Sequence, residues 1–110
     1  MLAISDIVMV YDPPRATERL PMPLEVRIFG GHAARSRDLC MGGCYIESAA
    51  HVTVGQFLVF EMQLPSGRWL TLRGEVVYHR RNLGFGVQFI DIPAETQTML
   101  EHLIDYARGT

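Results

Sequence analysis

Residues 58–79 read LVFEMQLPSGRWLTLRGEVVYH, and this stretch decides the fold. Leu58, Phe60, Met62 and Leu64 alternate with Val59, Glu61 and Gln63, the period of two that marks a half-buried strand. Pro65-Ser66-Gly67 is turn chemistry, and a second alternating run follows it, so the pair reads as a β-hairpin. On the return strand Leu70, Leu72, Val76 and Tyr78 face one way, and Thr71, Arg73, Glu75 and His79 the other. Gly74 falls on the inward set and is expected to mark a bulge or sharp bend. Downstream, Asn82 marks the next turn, and Phe85, Val87 and Phe89 alternate with Gly84, Gly86 and Gln88. Upstream, Leu24, Val26 and Ile28 alternate with Glu25, Arg27 and Phe29, and Gly30-Gly31 makes a turn. His32 to Leu39 is a weaker, Arg-rich strand interrupted by Gly42-Gly43, and Cys44 to Glu47 resumes it. After Asp91 the period changes: Thr96, Met99, Leu100, Leu103, Ile104 and Ala107 share one face of a helix predicted over residues 93 to 108, with Pro93 in its first turn and Gly109 beyond its end. The fold class is therefore all-β with one terminal helix: a small six-stranded antiparallel β-barrel capped by a C-terminal α-helix.

The chain has 110 residues, room for one domain. Tyr11-Asp12-Pro13-Pro14 breaks regular structure, which divides the sequence into an N-terminal arm, residues 1–14, and a single domain, residues 15–110. Residues 1 to 19 are poor in periodic apolar pattern and are expected to be the least ordered part of the unliganded protein. At 48% hydrophobic and 20% charged the composition excludes a disordered chain, and no apolar run is long enough to span a bilayer. A net charge of −2 argues against general nucleic-acid binding, because neutralising backbone phosphates needs a basic surface. All ten basic residues are Arg, so an anion site here must use planar, bidentate guanidinium groups. Cys40 and Cys44, read as lying along one extended strand, stand about 13 Å apart, too far for a disulfide. They make a poor zinc site and read as buried free thiols in a reducing compartment. The first ten residues lack a positive n-region, and a cytoplasmic protein is expected.

Catalysis finds little support. There is no G-x-S-x-G, P-loop or H-E-x-x-H, and His32, His51, His79 and His102 fall on separate elements. No enzyme activity, cofactor or metal site is expected. Two segments remain. Arg15-Ala16-Thr17-Glu18-Arg19 places two guanidinium groups just before the barrel, and Asp38-Leu39-Cys40-Met41-Gly42-Gly43 places a carboxylate before a glycine turn. Singly, the first reads as an ordinary charged loop and the second as a bulge or tight turn.

Together, in this order and ahead of this strand pattern, they resemble the PilZ domain family, with its R-x-x-x-R loop and its [DN]-x-S-x-x-G motif. Leu72 to Val77 is similar to the family's G-x-V-V strand, and Gly84 to Phe89 to its G-x-G-V-x-F strand; the resemblance covers roughly residues 14 to 106. It implies a PilZ-type barrel that binds the second messenger cyclic di-GMP. Arg15 and Arg19 would meet phosphates and the Hoogsteen edge of guanine, chemistry that guanidinium forks suit. Asp38 would accept from guanine N1–H and N2–H, and Gly43 would let the backbone approach the base. Ligand would order the N-terminal Arg loop and so alter contacts with a downstream protein partner. One position departs: the motif serine is Cys40. A thiol is a weak donor and acceptor, and losing a neutral hydrogen bond costs about 0.5–1.5 kcal/mol. The alternative is a degenerate PilZ adaptor that binds a protein and no cyclic di-GMP. A further alternative, outside the family, is a small barrel binding single-stranded nucleic acid through Trp69, Tyr45 and Phe29.

Overall fold

The computed structural model describes residues 19–28 and 32–109. The N-terminal arm, Arg15, Phe29 and the Gly30-Gly31 turn lie outside the described residues. The elements run β1 (Leu20–Pro21), β2 (Glu25–Ile28), β3 (His32–Cys40), β4 (Gly43–Glu47), β5 (Phe57–Gln63), β6 (Trp69–Arg80), β7 (Gly84–Phe89) and α1 (Ala94–Arg108). Strands β3-β2-β5-β6-β7-β4 are neighbours in that order, and β4 pairs back onto β3. This closes a six-stranded antiparallel barrel, as the periodicity predicts. The two-residue β1, which the sequence did not announce, adds to β3 through Leu20↔Leu39 and Pro21↔Asp38.

The central hairpin explains the closure. Its inward pairs, Phe60↔Leu72 and Met62↔Leu70, stack bulky side chains opposite one another inside the barrel. Val26, Leu39, Cys44, Ile46, Val76, Phe85 and Val87 join them in one core. The same core takes in Leu100, Leu103 and Ile104 of α1, which packs on β1 and β6. Pro93 is the N-cap rather than a first-turn residue, and Gly109 ends the helix in the left-handed conformation. Asn82 supplies the positive φ of the β6–β7 turn.

Three sequence readings change. Gly74 is not at a bulge; it pairs regularly with Leu58 and Phe89 and lies where the Val87 side chain and the Gln88 carbonyl leave no room for a side chain. The irregularity of β6 falls instead between Val76 and Tyr78. Val76 opposes core Val87, while Tyr78 opposes Gly86 on the outer face. One extra residue reverses the side-chain parity of everything after it, so Tyr78 faces out, not in. Finally, Cys40 and Cys44 do not share an extended strand. They flank the Met41-Gly42 turn on neighbouring strands, with Cys40↔Gly43 and Leu39↔Cys44 as partners. Cys44 therefore points into the core with Leu39 and Cys40 to the opposite face, and the two form no disulfide with each other.

Candidate functional site

Strand β3 carries a second parity reversal, and it builds the site. Ala34 and Ser36 face the interior, and unbroken alternation would send Asp38 there too. A register shift between Ser36 and Asp38 puts Leu39 in the core instead and turns Asp38 and Cys40 outward. Asp38 opposes Tyr45, which opposes Gly86, which opposes Tyr78. The two bulges thus bring Asp38, Tyr45 and Tyr78 into one row across the outer face of β3, β4, β7 and β6.

Arg19 reaches this row from the start of β1. Its Nη1 lies 2.9 Å from Asp38 Oδ1, a charge-assisted hydrogen bond with both side chains part-exposed. The segment that delivers Arg19 is held to β3 by Ser36. The buried Ser36 hydroxyl donates to the Met22 carbonyl and accepts from the Leu24 amide at 2.9 Å. Backbone bonds from Met22 N to Arg37 O (3.1 Å) and Ser36 N to Leu24 O (2.9 Å) complete the latch. Ser36 therefore ties residues 22–24, just after Arg19 and β1, to strand β3. Its one signal in the sequence is a small polar residue at an inward position between Arg35 and Arg37.

Aromatic and cationic groups continue the face. The Tyr45 and Tyr78 rings stack with centroids 5.9 Å apart and planes 24° from parallel. Gly86 makes the seat, because a Cβ there would collide with the Tyr78 ring. The Arg80 guanidinium lies 5.9 Å from the Tyr45 centroid and 6.0 Å from that of Tyr78, and Arg37 lies 5.7 Å from Tyr45. Glu47 balances Arg37 at 3.9 Å. Burial pushes the Tyr78 phenol above its ordinary range; Arg19 opposes that shift and Asp38 adds to it, so the ion pair is felt at this ring. Tyr78 and Arg80 are not legible as surface residues in the sequence, because strict alternation puts Tyr78 in the interior.

The other candidate residues serve packing more than display. Cys40 is only 1% exposed. Cys44 belongs to the core, where desolvation above all, with Asp38 and Cys40 adding, drives its thiol far above the ordinary range. Gly43 is required by packing whatever binds nearby: a Cβ would strike the Val87 carbonyl of β7. Of the aromatic residues proposed for single-stranded nucleic acid, Tyr45 is 4% exposed and Trp69 is covered by the Arg27 guanidinium at 3.6 Å from its centroid. Among the described residues no cluster of three or more His, Cys, Asp or Glu side chains is placed to hold a metal ion. Among the same residues no helix is long and apolar enough to cross a membrane.

A closed six-stranded barrel with a C-terminal helix, carrying an arginine–aspartate pair beside the β3–β4 hairpin, defines a class of small β-barrel. The PilZ domain profile matches residues 13–106, and the chain belongs to that family. Similar solved structures share the fold at low identity. The Bacillus subtilis inhibitor of motility superposes with a TM-score of 0.73 at 18% identity, covering 90% of this chain and 53% of that one. The PilZ domain of CeSA from a cellulose-synthesizing bacterium gives 0.57 at 19% identity, covering 84% and 97%. The Borreliella burgdorferi PlzA protein, solved in complex with c-di-GMP, gives 0.55 at 18% identity, covering 94% and 45%. The chain spans about half the length of the Bacillus and Borreliella proteins. A search of curated proteins by sequence gives no match.

Proposed function

We propose that this chain is a cyclic di-GMP receptor domain whose ligand sits on the outer face of β3, β4, β7 and β6. The observation that carries the reading is the Arg19–Asp38 pair, set outward by a bulge and an internal Ser36 latch at the two motif positions. Their direct contact brings a guanidinium and a carboxylate to one patch of the surface, which supports the reading. The guanidinium serves O6 and N7, and the carboxylate serves the N1–H and N2–H edge. Arg15, four residues before Arg19, would add the second fork. Ligand drawing residues 15–19 onto the barrel would change the surface offered to a protein partner, in keeping with the receptor and adaptor character of PilZ domains. A cytoplasmic setting fits a nucleotide messenger and two cysteines that form no disulfide with each other.

Cys40 favours a second reading. The thiol stands where the motif has a hydroxyl and is 1% exposed, which suits an adaptor that has given up the ligand. Calorimetric titration with cyclic di-GMP separates the two. Under the receptor reading Arg19→Ala and Asp38→Ala each weaken binding by about 10- to 150-fold, the worth of a hydrogen bond to a charged group. Under the adaptor reading neither wild type nor Cys40→Ser binds at high micromolar ligand.

A further inference from the structure

Strands β5 and β6 pair in unbroken register, so Phe57 lies opposite Glu75 and Val59 opposite Arg73. All four side chains point outward, because the interleaved Leu58 and Gly74 face the core. Phe57 is 68% exposed and Val59 49%. They line an open groove of about 660 Å³ together with Arg73, Ile90 and Asp91. The backbone that presents Phe57 is fixed from behind: the Gly55 amide donates to the Val76 carbonyl at 2.7 Å, and the Val76 amide to the Gln56 carbonyl at 2.9 Å. The charges here differ from those further along the same wall. Toward the β5–β6 turn, Arg27 pairs with Glu61 and covers Trp69. Arg73 and Glu75 make no ion pair and no side-chain hydrogen bond among the described residues.

These four residues are their own complement. A two-fold axis lying across the strands at the level of Leu58 and Gly74 exchanges the two cross-strand pairs. It sets Phe57 against Val59 of the partner subunit and Arg73 against Glu75 of the partner subunit, and each contact is made twice. Aligned sheets pack face to face in this way, with side chains filling the space between them. We propose that this face binds a second copy of the chain, forming an isologous dimer through Phe57, Val59, Arg73 and Glu75. Asp38 and Arg19 lie on other strands, so the inference stands whatever their face binds. A contact centred on four side chains falls well short of the roughly 20–30 residues a side of a standard interface, so the dimer is weak and reversible.

Sedimentation equilibrium of the full chain, over about 10 μM to 1 mM protein, tests it. Wild type is expected to rise from the mass of one chain toward that of two. Arg73→Glu sets carboxylate against carboxylate and Glu75→Arg sets guanidinium against guanidinium; each alone is expected to weaken association about tenfold or more. Phe57→Ser, which removes the central apolar contact, is expected to weaken it by a similar factor of about ten. An equimolar mixture of Arg73→Glu and Glu75→Arg is expected to associate as wild type does, because each variant carries the complement of the other. Cooperative thermal unfolding of each variant shows that it is folded, and the wild-type measurement needs no variant. A wild type that keeps the mass of one chain up to about 1 mM overturns the inference. Association that Arg73→Glu leaves unchanged, or that the mixture fails to restore, overturns it as well.

Discussion

The two walls of the barrel are built to different rules. On the wall of β2 and β5 the side chains alternate between core and solvent, as in any sheet with one face packed. Its outer face carries Arg27 paired with Glu61 at 3.2 Å, and open residues such as Phe57, 68% exposed. On the wall of β4 and β7 four consecutive residues of each strand are buried, so both faces are covered. The inner cover is the common core. The outer cover includes the tyrosine pair over Gly86, with the Arg19–Asp38 pair beside it. The first wall is open; the second has a structured exterior, and two bulges were needed to assemble it. That difference supports the outer face of β3, β4, β7 and β6 as the proposed ligand face.

The comparison breaks first if the shared interior is not what holds both walls. Leu103→Ala empties a buried position where α1 joins the core and is expected to cost about 2–5 kcal/mol in urea unfolding. A loss below about 0.5 kcal/mol, the scale of a surface change, means the helix is not docked. Next in size is the contrast between arginines. Arg19→Ala is expected to cost about 1.5–3 kcal/mol of cyclic di-GMP binding, whereas Arg27→Ala on the other wall leaves binding unchanged. Equal effects would erase the distinction between the faces.

The two thiols sharpen the contrast within one hairpin. Cys44→Ser sets a hydroxyl in the apolar core and is expected to cost about 1–3 kcal/mol of stability. Cys40→Ser, on the face of Asp38 and Arg19, is expected to cost less than that in chemical denaturation. Smallest of all, Phe57→Ser on the open wall is expected to stay within about 0.5 kcal/mol in the same assay. A larger loss there would show that this outer face is also built.

The barrel, the hairpins and the helix were legible because their signal is periodicity, and periodicity is local. Leu58 through Val76 needs no distant partner to declare which side faces in. What escaped were the two places where parity reverses. Nothing in Val76-Val77-Tyr78 or Ser36-Arg37-Asp38 announces an extra residue, because a bulge is a property of two strands paired in one register and not of either alone. Alternation alone therefore puts Tyr78 inward, and nothing local marks Ser36 as the residue that ties Met22 and Leu24 to β3. The sequence puts Cys40 and Cys44 along one strand because a two-residue turn at Met41-Gly42 leaves little trace beyond its glycine. Asp38 and Arg19 were legible only as a motif; that they meet at 2.9 Å is a fact of the fold.

The central claim is that the outer face of β3, β4, β7 and β6 binds cyclic di-GMP through Arg19 and Asp38. Calorimetric titration of wild type beside Cys40→Ser tests it most directly. Saturable binding is expected in both, tighter in Cys40→Ser by roughly two- to thirteenfold as the hydroxyl restores a neutral hydrogen bond. Absence of binding heat at high micromolar ligand in both proteins, each unfolding cooperatively on heating, would contradict the claim and leave the chain an adaptor.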